Sequence, residues 1–331
     1  MESVASGIPR LDYYTSGGVT GCPALLVEPA ATNLALHSRD LTNAVWSGTN
    51  VTAAKNAVGA DGVASGATTL TATAASGTVL QAIVNISQSR VFSAYVRRVT
   101  GTGAIQMTTN GGTNWTTVTI SSLYTQVACA AQTVLNGSVG FRMAVSGDVI
   151  EVDFTQSEVG PAFTSPIPTT AGTGSRSADV VSVSGAVSGS IGQTEGTIYA
   201  EVDIRSFTNS ARIIALSDGT GFNAIPIQLL VDGGLNYIRV PINASSSGQT
   251  DIIASMSTGI NKIALGYAQN NVALYLNGTS VGTDTSCIIP ATNKIDLGSL
   301  NGSTFFNNRI RAVALYTTRL TNDELQSLTT P

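Results

Sequence analysis

Short apolar runs separated by glycine, asparagine and serine recur along the whole chain. In several of them apolar residues occupy every second position, as Phe92, Ala94 and Val96 do. A period of two is typical of a strand with one buried face, whereas a helix repeats every 3.6 residues. Many short strands with turn residues between them predict an all-β protein made of two tandem antiparallel β-sandwiches.

Changes in this pattern divide the chain into four segments. Residues 1–31 form an extended lead-in or anchoring segment, and residues 32–159 form a first sandwich. Residues 160–195 are a linker rich in proline and glycine, expected to pair with a sheet near Asp179–Val183, and residues 196–331 form a second sandwich. In outline the first sandwich is similar to the jelly-roll carbohydrate-binding modules that accompany many polysaccharide-degrading enzymes.

The lead-in is most apolar at Ala24–Val27, which precedes Glu28 and Pro29. A short apolar run between glycine and proline predicts a strand that is buried on both faces. Because a buried carboxylate without partners is costly, we expect backbone amides to hold Glu28. We also expect this strand to tie the lead-in to the first sandwich.

The second sandwich contains the clearest turns and the one good helix pattern. Thr321 and Glu324 have the spacing of a capping box, which predicts a C-terminal helix. Three pairs of turn residues lie between apolar runs and predict β-hairpins: Gly233-Gly234, Asn270-Asn271 and Asn277-Gly278.

Four pieces of this second sandwich, in this order, resemble the concanavalin A-like (laminin-G-like) sandwich. They are an Ala-Leu-Tyr-Leu-Asn-Gly strand, an Ile-x-Leu-Gly strand, an Arg-Ile-x-x-Val-x-Leu-Tyr strand and a closing Leu-Thr-x-x-Glu-Leu step. The chain has them at 273–278, 295–298, 309–316 and 320–325. The resemblance covers nearly the whole segment and implies a concanavalin A-like antiparallel β-sandwich.

Two further blocks resemble a group of bacteriophage virion proteins, mostly tail or head fibre proteins. The first has Pro-Arg-Leu-Asp-Tyr at 9–13 and Gly-Cys-Pro-x-Leu-Leu-x-Glu-Pro-x-x-Thr-Asn-Leu at 21–34, and it extends to Trp46. The second has Arg-x-Ala-Asp-Val at 176–180 and Ile-Gly-Gln-Thr-Glu-Gly-Thr at 191–197. The resemblance implies a fibre, spike or capsid decoration protein, attached through residues 1–31 or through sequence further upstream.

Composition and charge narrow the classes of function. Only 11% of the 331 residues are charged, the net charge is −4, and Arg97-Arg98 is the only basic cluster. Nucleic-acid binding therefore lacks its electrostatic basis, and no apolar run is long enough to span a membrane. Three widely spaced cysteines and the lack of a secretory leader fit folding in the host cytoplasm followed by exposure on the virion.

Catalysis finds little support in the sequence. The single histidine, His37, has no cysteine or second histidine at ligand spacing. Glu201 and Asp203 share a strand face as in concanavalin A-like glycosidases, but Arg205 stands where a general acid would be needed. We therefore expect no enzyme activity, and a glycoside hydrolase is the least favoured alternative.

Glycan binding needs aromatic faces with amides and carboxylates close by. In the first sandwich Trp115, Asn114 and Tyr124 are the candidates, and in the second Asp218 and Asn223 lie in a turn-rich loop. We expect no cofactor. The one metal that this loop could hold is Ca²⁺, with Asp218 as its only carboxylate, although that ion takes about six to eight oxygen ligands.

The sequence thus predicts a virion protein that displays β-sandwiches for adhesion to host or environmental glycans. The alternative is a purely structural decoration or head-fibre protein that binds only other virion proteins. The expected partners are virion proteins and cell-surface or mucosal glycans. The expected state is a homo-oligomer, with a trimer first, although no heptad pattern supports a coiled-coil stem.

Overall fold

The structure is a computed structural model that describes residues 7–13, 15–16, 19–20, 22–84, 86–185 and 189–331. It is nearly all-β, with 52% strand and 3% helix. Every paired strand in it is antiparallel, which confirms the predicted fold class. Among the described residues no helix is long and apolar enough to cross a membrane.

The described chain contains 28 strands and one helix. The lead-in has β1 Leu11–Asp12, β2 Thr15–Ser16, β3 Val19–Thr20 and β4 Ala24–Val27. Next come β5 Ala31–Asn33, β6 Ser47–Thr49, β7 Val51–Ala57, β8 Ala67–Ala72, β9 Gly77–Ala82, β10 Gln88–Thr100, β11 Ile105–Thr108, β12 Thr116–Val118, β13 Thr125–Ala128, β14 Gln132–Val134, β15 Ser138–Met143, β16 Val149–Val159 and β17 Gly174–Arg176. The remainder has β18 Val181–Ser184, β19 Glu195–Ile204, β20 Arg212–Ser217, β21 Ala224–Asp232, β22 Leu235–Ala244, β23 Ser247–Ser255, β24 Gly259–Ala268, β25 Val272–Leu276, β26 Thr279–Asp284, β27 Lys294–Leu297, β28 Asn308–Tyr316 and α1 Asn322–Thr329.

The chain forms two compact units. Unit 1 runs from Ala30 to Ser177, and unit 2 joins the lead-in, up to Pro29, to residues from Ala178 to Pro331. In sequence, therefore, unit 1 is an insertion in unit 2.

Unit 1 is a sandwich of two sheets. One sheet has the order β12-β11-β15-β9-β6, and the other has β13-β10-β16-β8-β7 with β14 also paired to β10. Alternation in β10 directs Phe92, Ala94 and Val96 into the core, where Phe92 meets Phe141 of the other sheet edge-on at 5.4 Å between ring centroids. Trp46 is also core, and its indole N–H donates to the Leu36 carbonyl at 3.1 Å.

Unit 2 is a larger sandwich. Its seven-stranded sheet has the order β1-β4-β28-β19-β24-β25-β26, and its six-stranded sheet has β18-β27-β20-β21-β22-β23. Buried aliphatic side chains from both sheets fill the space between them. The predicted capping box of Thr321 and Glu324 begins α1, whose Leu325 packs on the outer face of the seven-stranded sheet.

The lead-in strand lies in unit 2, contrary to the expectation that it closes the first sandwich. β4 pairs with β28 from Val27↔Asn308 to Leu25↔Ile310, so it extends the seven-stranded sheet. Leu26 and Val27 are almost fully buried there. An apolar run predicts burial of a strand but not which of two sandwiches receives it, and this explains the error.

Candidate functional site

The residues that the sequence singled out fall into three groups of contacts, and the first holds the lead-in. Glu28 is fully buried, and its carboxylate accepts a hydrogen bond from the Arg10 guanidinium at 2.7 Å. Arg10 also binds Asp179, and the Asp179 carboxylate accepts the Glu28 backbone N–H at 2.9 Å. Arg205 lies 3.8 Å from Glu28. The expectation that backbone amides hold Glu28 did not include these two guanidinium groups, which balance its charge.

A second arginine binds the lead-in to β19. Arg309 of β28 donates to Asp12 at 2.6 Å and to Asp203 at 2.9 Å. Burial alone would lower the pKa of Arg309, but its two carboxylate partners raise the pKa above its ordinary value. The pKa of Arg10 is raised in the same way, since Glu28 and Asp179 outweigh burial. We call these residues the clasp: Arg10, Asp12, Glu28, Asp179, Asp203, Arg205 and Arg309.

The strand face of Glu201 and Asp203 belongs to the same charged surface as the clasp. Glu201 pairs with Arg311 at 2.7 Å, and Tyr199 donates to Glu201 at 3.4 Å. Asp203 is occupied by Arg309. Both carboxylates of this strand face are therefore engaged in ion pairs with arginines of β28.

The second group consists of two separate aromatic clusters in unit 1, and the first of these surrounds Trp115. The ring is half-buried, and the guanidinium carbon of Arg142 lies 4.7 Å from its centroid. The Asn114 backbone N–H donates to the Asn110 side chain at 2.9 Å, which fixes the loop. Gly112 has φ of +91°, and a Cβ there would lie 2.8 Å from the indole ring. The ring is therefore part of a packed arrangement rather than a free platform.

Tyr124 has a comparable arrangement on the other sheet of unit 1. Its hydroxyl lies 2.9 Å from the Val58 carbonyl and 3.2 Å from Glu151, and Arg97 lies over the ring at 4.8 Å. Burial, and then the Glu151 carboxylate, raises the pKa of Tyr124 above its ordinary value. Arg97 and Glu151 are on β10 and β16, whereas Arg142 beside Trp115 is on β15. The structure thus places the two predicted aromatic residues beside different sheets.

The third group is the loop between β20 and β21 in unit 2, where Asp218 and Asn223 do come together. The Asp218 carboxylate accepts from the Thr220 backbone and hydroxyl, at 2.8 Å and 2.5 Å, and from the Asn223 amide at 2.8 Å. The Thr220 hydroxyl is the main cause that holds the pKa of Asp218 below its ordinary value. Asn223 in turn accepts the Ser245 N–H at 2.8 Å from the next hairpin.

Phe222, at the tip of this loop, was missed by sequence reasoning. Its side chain is 62% exposed, although it lies between the predicted Asp218 and Asn223. Its carbonyl accepts the Ser246 N–H at 3.1 Å, which links the two loops. The sequence feature that could have indicated its exposure is an apolar residue inside a turn-rich hexapeptide. We call these residues the Phe222 loop: Asp218, Thr220, Phe222, Asn223, Ser245 and Ser246.

Metal ligation has little geometric support in the described part of the chain. No three His, Cys, Asp or Glu side chains converge there. Both oxygens of Asp218 already accept hydrogen bonds within the Phe222 loop. Calcium binding at Asp218 therefore stays an untested prediction.

Comparison with known families identifies the second sandwich. Residues 174–326 match the family described as the concanavalin A-like lectin/glucanases superfamily. This part of the chain is a concanavalin A-like domain, as the four sequence pieces predicted. No curated protein matches the chain.

Several solved structures are similar to part of the chain. Domain 4 of AbnA, an extracellular GH43 arabinanase from Geobacillus stearothermophilus, is 16% identical, with a TM-score of 0.36, over 49% of this chain and 84% of that one. The CBM40 of the Ruminococcus gnavus IT-sialidase is 17% identical, with a TM-score of 0.35, over 46% and 97%. A pentraxin from Limulus polyphemus is 14% identical, with a TM-score of 0.34, over 40% and 69%. Similarities of this extent carry no argument about what the chain binds.

Proposed function

We propose that this chain is a non-enzymatic bacteriophage virion protein whose concanavalin A-like domain adheres to glycans. The observation that carries the glycan part is the Phe222 loop on a domain of the lectin/glucanase type. An exposed aromatic face can stack on the apolar face of a sugar, while amides and hydroxyls beside it bind sugar hydroxyls. Phe222 is exposed and directly precedes Asn223 in this polar loop.

The virion part rests on the motif blocks that resemble fibre proteins. Arg10, Asp12, Glu28 and Asp179 are motif residues, and all four lie in the clasp. If related proteins also hold their lead-in against the second sandwich, this contact would explain why the motif residues lie far apart in the sequence. The proposed location is the surface of the particle, with other virion proteins as neighbours and a trimer as the assembly.

Adhesion of this kind works through many weak contacts. Repetition of a weak site on one particle raises the overall avidity by about two to four orders of magnitude. A single open loop such as the Phe222 loop is therefore sufficient for attachment, and no deep pocket is required.

A glycan array tests the glycan part, with the full chain presented on beads to restore multivalency. Phe222→Ala should abolish the signal on the neutral glycans that the wild type binds, and Phe222→Tyr should retain it. Trp115→Ala is the matched control in unit 1, because its ring is packed under Arg142 and it should bind as the wild type does. No binding by multivalent wild type to any glycan would overturn the proposal.

The structural alternative draws on a different observation. Unit 1 exposes three large aliphatic side chains near one end of its sandwich, namely Val84 at 85%, Ile86 at 66% and Leu135 at 65%. Apolar side chains exposed in this way are common at protein contacts. A cryo-EM map of the intact particle distinguishes the roles, since this alternative requires those side chains to be covered by another virion protein. The same map gives the number of copies and tests the trimer.

A further inference from the structure

The outer face of the six-stranded sheet of unit 2 carries a row of polar side chains that no motif marked. Arg212 on β20 lies opposite Gln228 on β21, and Gln228 lies opposite Arg239 on β22. The neighbours Ile213, Ile227 and Ile238 are in the core, so the three polar side chains share the opposite face. We call them the arginine row: Arg212, Gln228 and Arg239.

The row is not balanced in charge. Arg239 is paired through two hydrogen bonds with Asp251, at 2.7 Å and 2.8 Å. Arg212 donates from Nη1 to the Ser210 carbonyl at 2.8 Å, and no described residue accepts from its buried Nε. Burial, and then repulsion by Arg239, lowers the pKa of Arg212 to about 10. Of the two arginines in this row, only Arg239 has a carboxylate partner among the described residues, namely Asp251 on β23.

Gln228 supplies a second, independent indication. Its side chain is only 1% exposed, and its Oε1 has no hydrogen-bond partner among the described residues. Buried polar atoms are nearly always paired, so this unpaired acceptor calls for a hydrogen-bond donor such as a sugar hydroxyl. Adjacent strands are about 4.8 Å apart, so the backbones of Arg212 and Arg239 are about 10 Å apart, with Gln228 on the strand between them.

We propose that this face binds an acidic saccharide, with a carboxylate or sulfate group held between Arg212 and Arg239 beside Gln228. The planar guanidinium presents two parallel N–H groups that match the oxygens of such an anion. The Gln228 carboxamide then bonds a neighbouring sugar hydroxyl. Tyr237, two residues before Arg239 on the same face and half-buried, offers its ring to the sugar.

The inference rests on the proposed glycan binding and names its chemical class. It places the acidic group on the sheet face, whereas the Phe222 loop serves any sugar with an exposed apolar face. A site with an unpaired arginine also predicts that binding weakens with salt, because screening reduces the attraction between exposed charges.

The test compares four probes on the full chain by isothermal titration calorimetry: oligogalacturonate, dextran sulfate, neutral dextran and sodium sulfate. Oligogalacturonate or dextran sulfate should bind, and Arg212→Gln should weaken that binding at least about tenfold, as expected for a lost charged hydrogen bond. Asp251→Asn should strengthen it, since it removes the competing carboxylate. Arg319→Gln, with the same charge change elsewhere in unit 2, is the matched control and should leave affinity unchanged.

Each outcome bears on the inference. Equal loss in Arg212→Gln and Arg319→Gln would overturn it, because affinity would then follow net charge rather than the row. Binding of neutral dextran alone, unchanged in Arg212→Gln, would also overturn it while leaving the proposed glycan function intact. Binding of sodium sulfate without any saccharide, lost in Arg212→Gln, would support the oxyanion site and contradict the glycan function.

Discussion

The two outer faces of unit 2 use arginine in opposite ways. On the seven-stranded sheet, Arg10 and Arg309 each bind two carboxylates, and the fully buried Glu28 is neutralised by its partners. On the six-stranded sheet, Arg212 and Arg239 are on one row with a single carboxylate. Arginines that are paired with carboxylates help to stabilise the fold. An arginine without a carboxylate partner lowers the stability, but it remains available to bind a ligand.

The largest effect is expected from Glu28→Ala in the clasp. The change leaves Arg10 and Arg205 without their buried partner, and the loss of one member of a buried ion pair costs about 3–5 kcal/mol. Hydrogen exchange measured at increasing denaturant concentration should show that β4 and β28 lose protection early. Protection in β10 of unit 1 should not change.

Asp251→Ala is the matched control for Glu28→Ala. It also removes a carboxylate from an arginine, but the pair is exposed, with side-chain exposures of 33% and 46%. Exposed pairs contribute about 0–1 kcal/mol. The clasp would not explain how the lead-in is held in unit 2 if Asp251→Ala lowered the free energy of unfolding as much as Glu28→Ala does. A loss of protection in β10 after Glu28→Ala would contradict it as well.

Arg309→Gln should have the next largest effect. Asp12 and Asp203 would lose their shared cation, at a cost of about 1–3 kcal/mol per charged hydrogen-bond partner left unpaired. Thermal unfolding monitored by circular dichroism gives the shift in midpoint. An unchanged midpoint would mean that the two carboxylates are adequately hydrated without the arginine.

Arg212→Gln should change stability little, within about 0.5 kcal/mol, or should increase it. The substitution removes a partly buried cation and its repulsion by Arg239. The same denaturation experiment measures it. A cost comparable to that of Arg309→Gln would assign the arginine row a structural role and remove the contrast between the two faces.

The smallest expected effect concerns the pKa of Asp218. Its folded pKa lies below the ordinary value, so its contribution to stability is present above the unfolded pKa and is lost as the pH falls through the folded pKa. Thr220→Val removes the main hydroxyl donor and should raise the pKa of Asp218 towards 3.8. A carboxyl-detected NMR titration measures it, and an unchanged pKa would mean that backbone and Asn223 donors suffice.

Much of the fold could be predicted from the sequence because local patterns determine it. Turn pairs such as Gly233-Gly234, both with positive φ, place hairpins directly. The capping box at Thr321 placed the helix. The position of β4 could not be predicted in this way, since its partner β28 lies near the opposite end of the sequence.

The candidate sites were predictable only in part. Asp218 and Asn223 meet because they lie in one short loop. The arginine row joins three strands, and its members become neighbours only through the register of two hairpins. Likewise, nothing local indicates that Arg142 covers Trp115. A single sequence does not show which distant segments of the chain come into contact.

Ligand-induced thermal stabilisation tests the contrast between the two faces most directly. A ligand that binds only the folded state raises the unfolding midpoint, and the increase grows with the logarithm of the ligand concentration relative to its Kd. With oligogalacturonate or dextran sulfate, whichever binds the wild type, Arg309→Gln should melt earlier but retain the full ligand-induced increase. Arg212→Gln should melt close to the wild type or slightly later, and it should show a clearly smaller ligand-induced increase. Loss of the increase in Arg309→Gln together with its retention in Arg212→Gln would contradict the division of roles between the two faces.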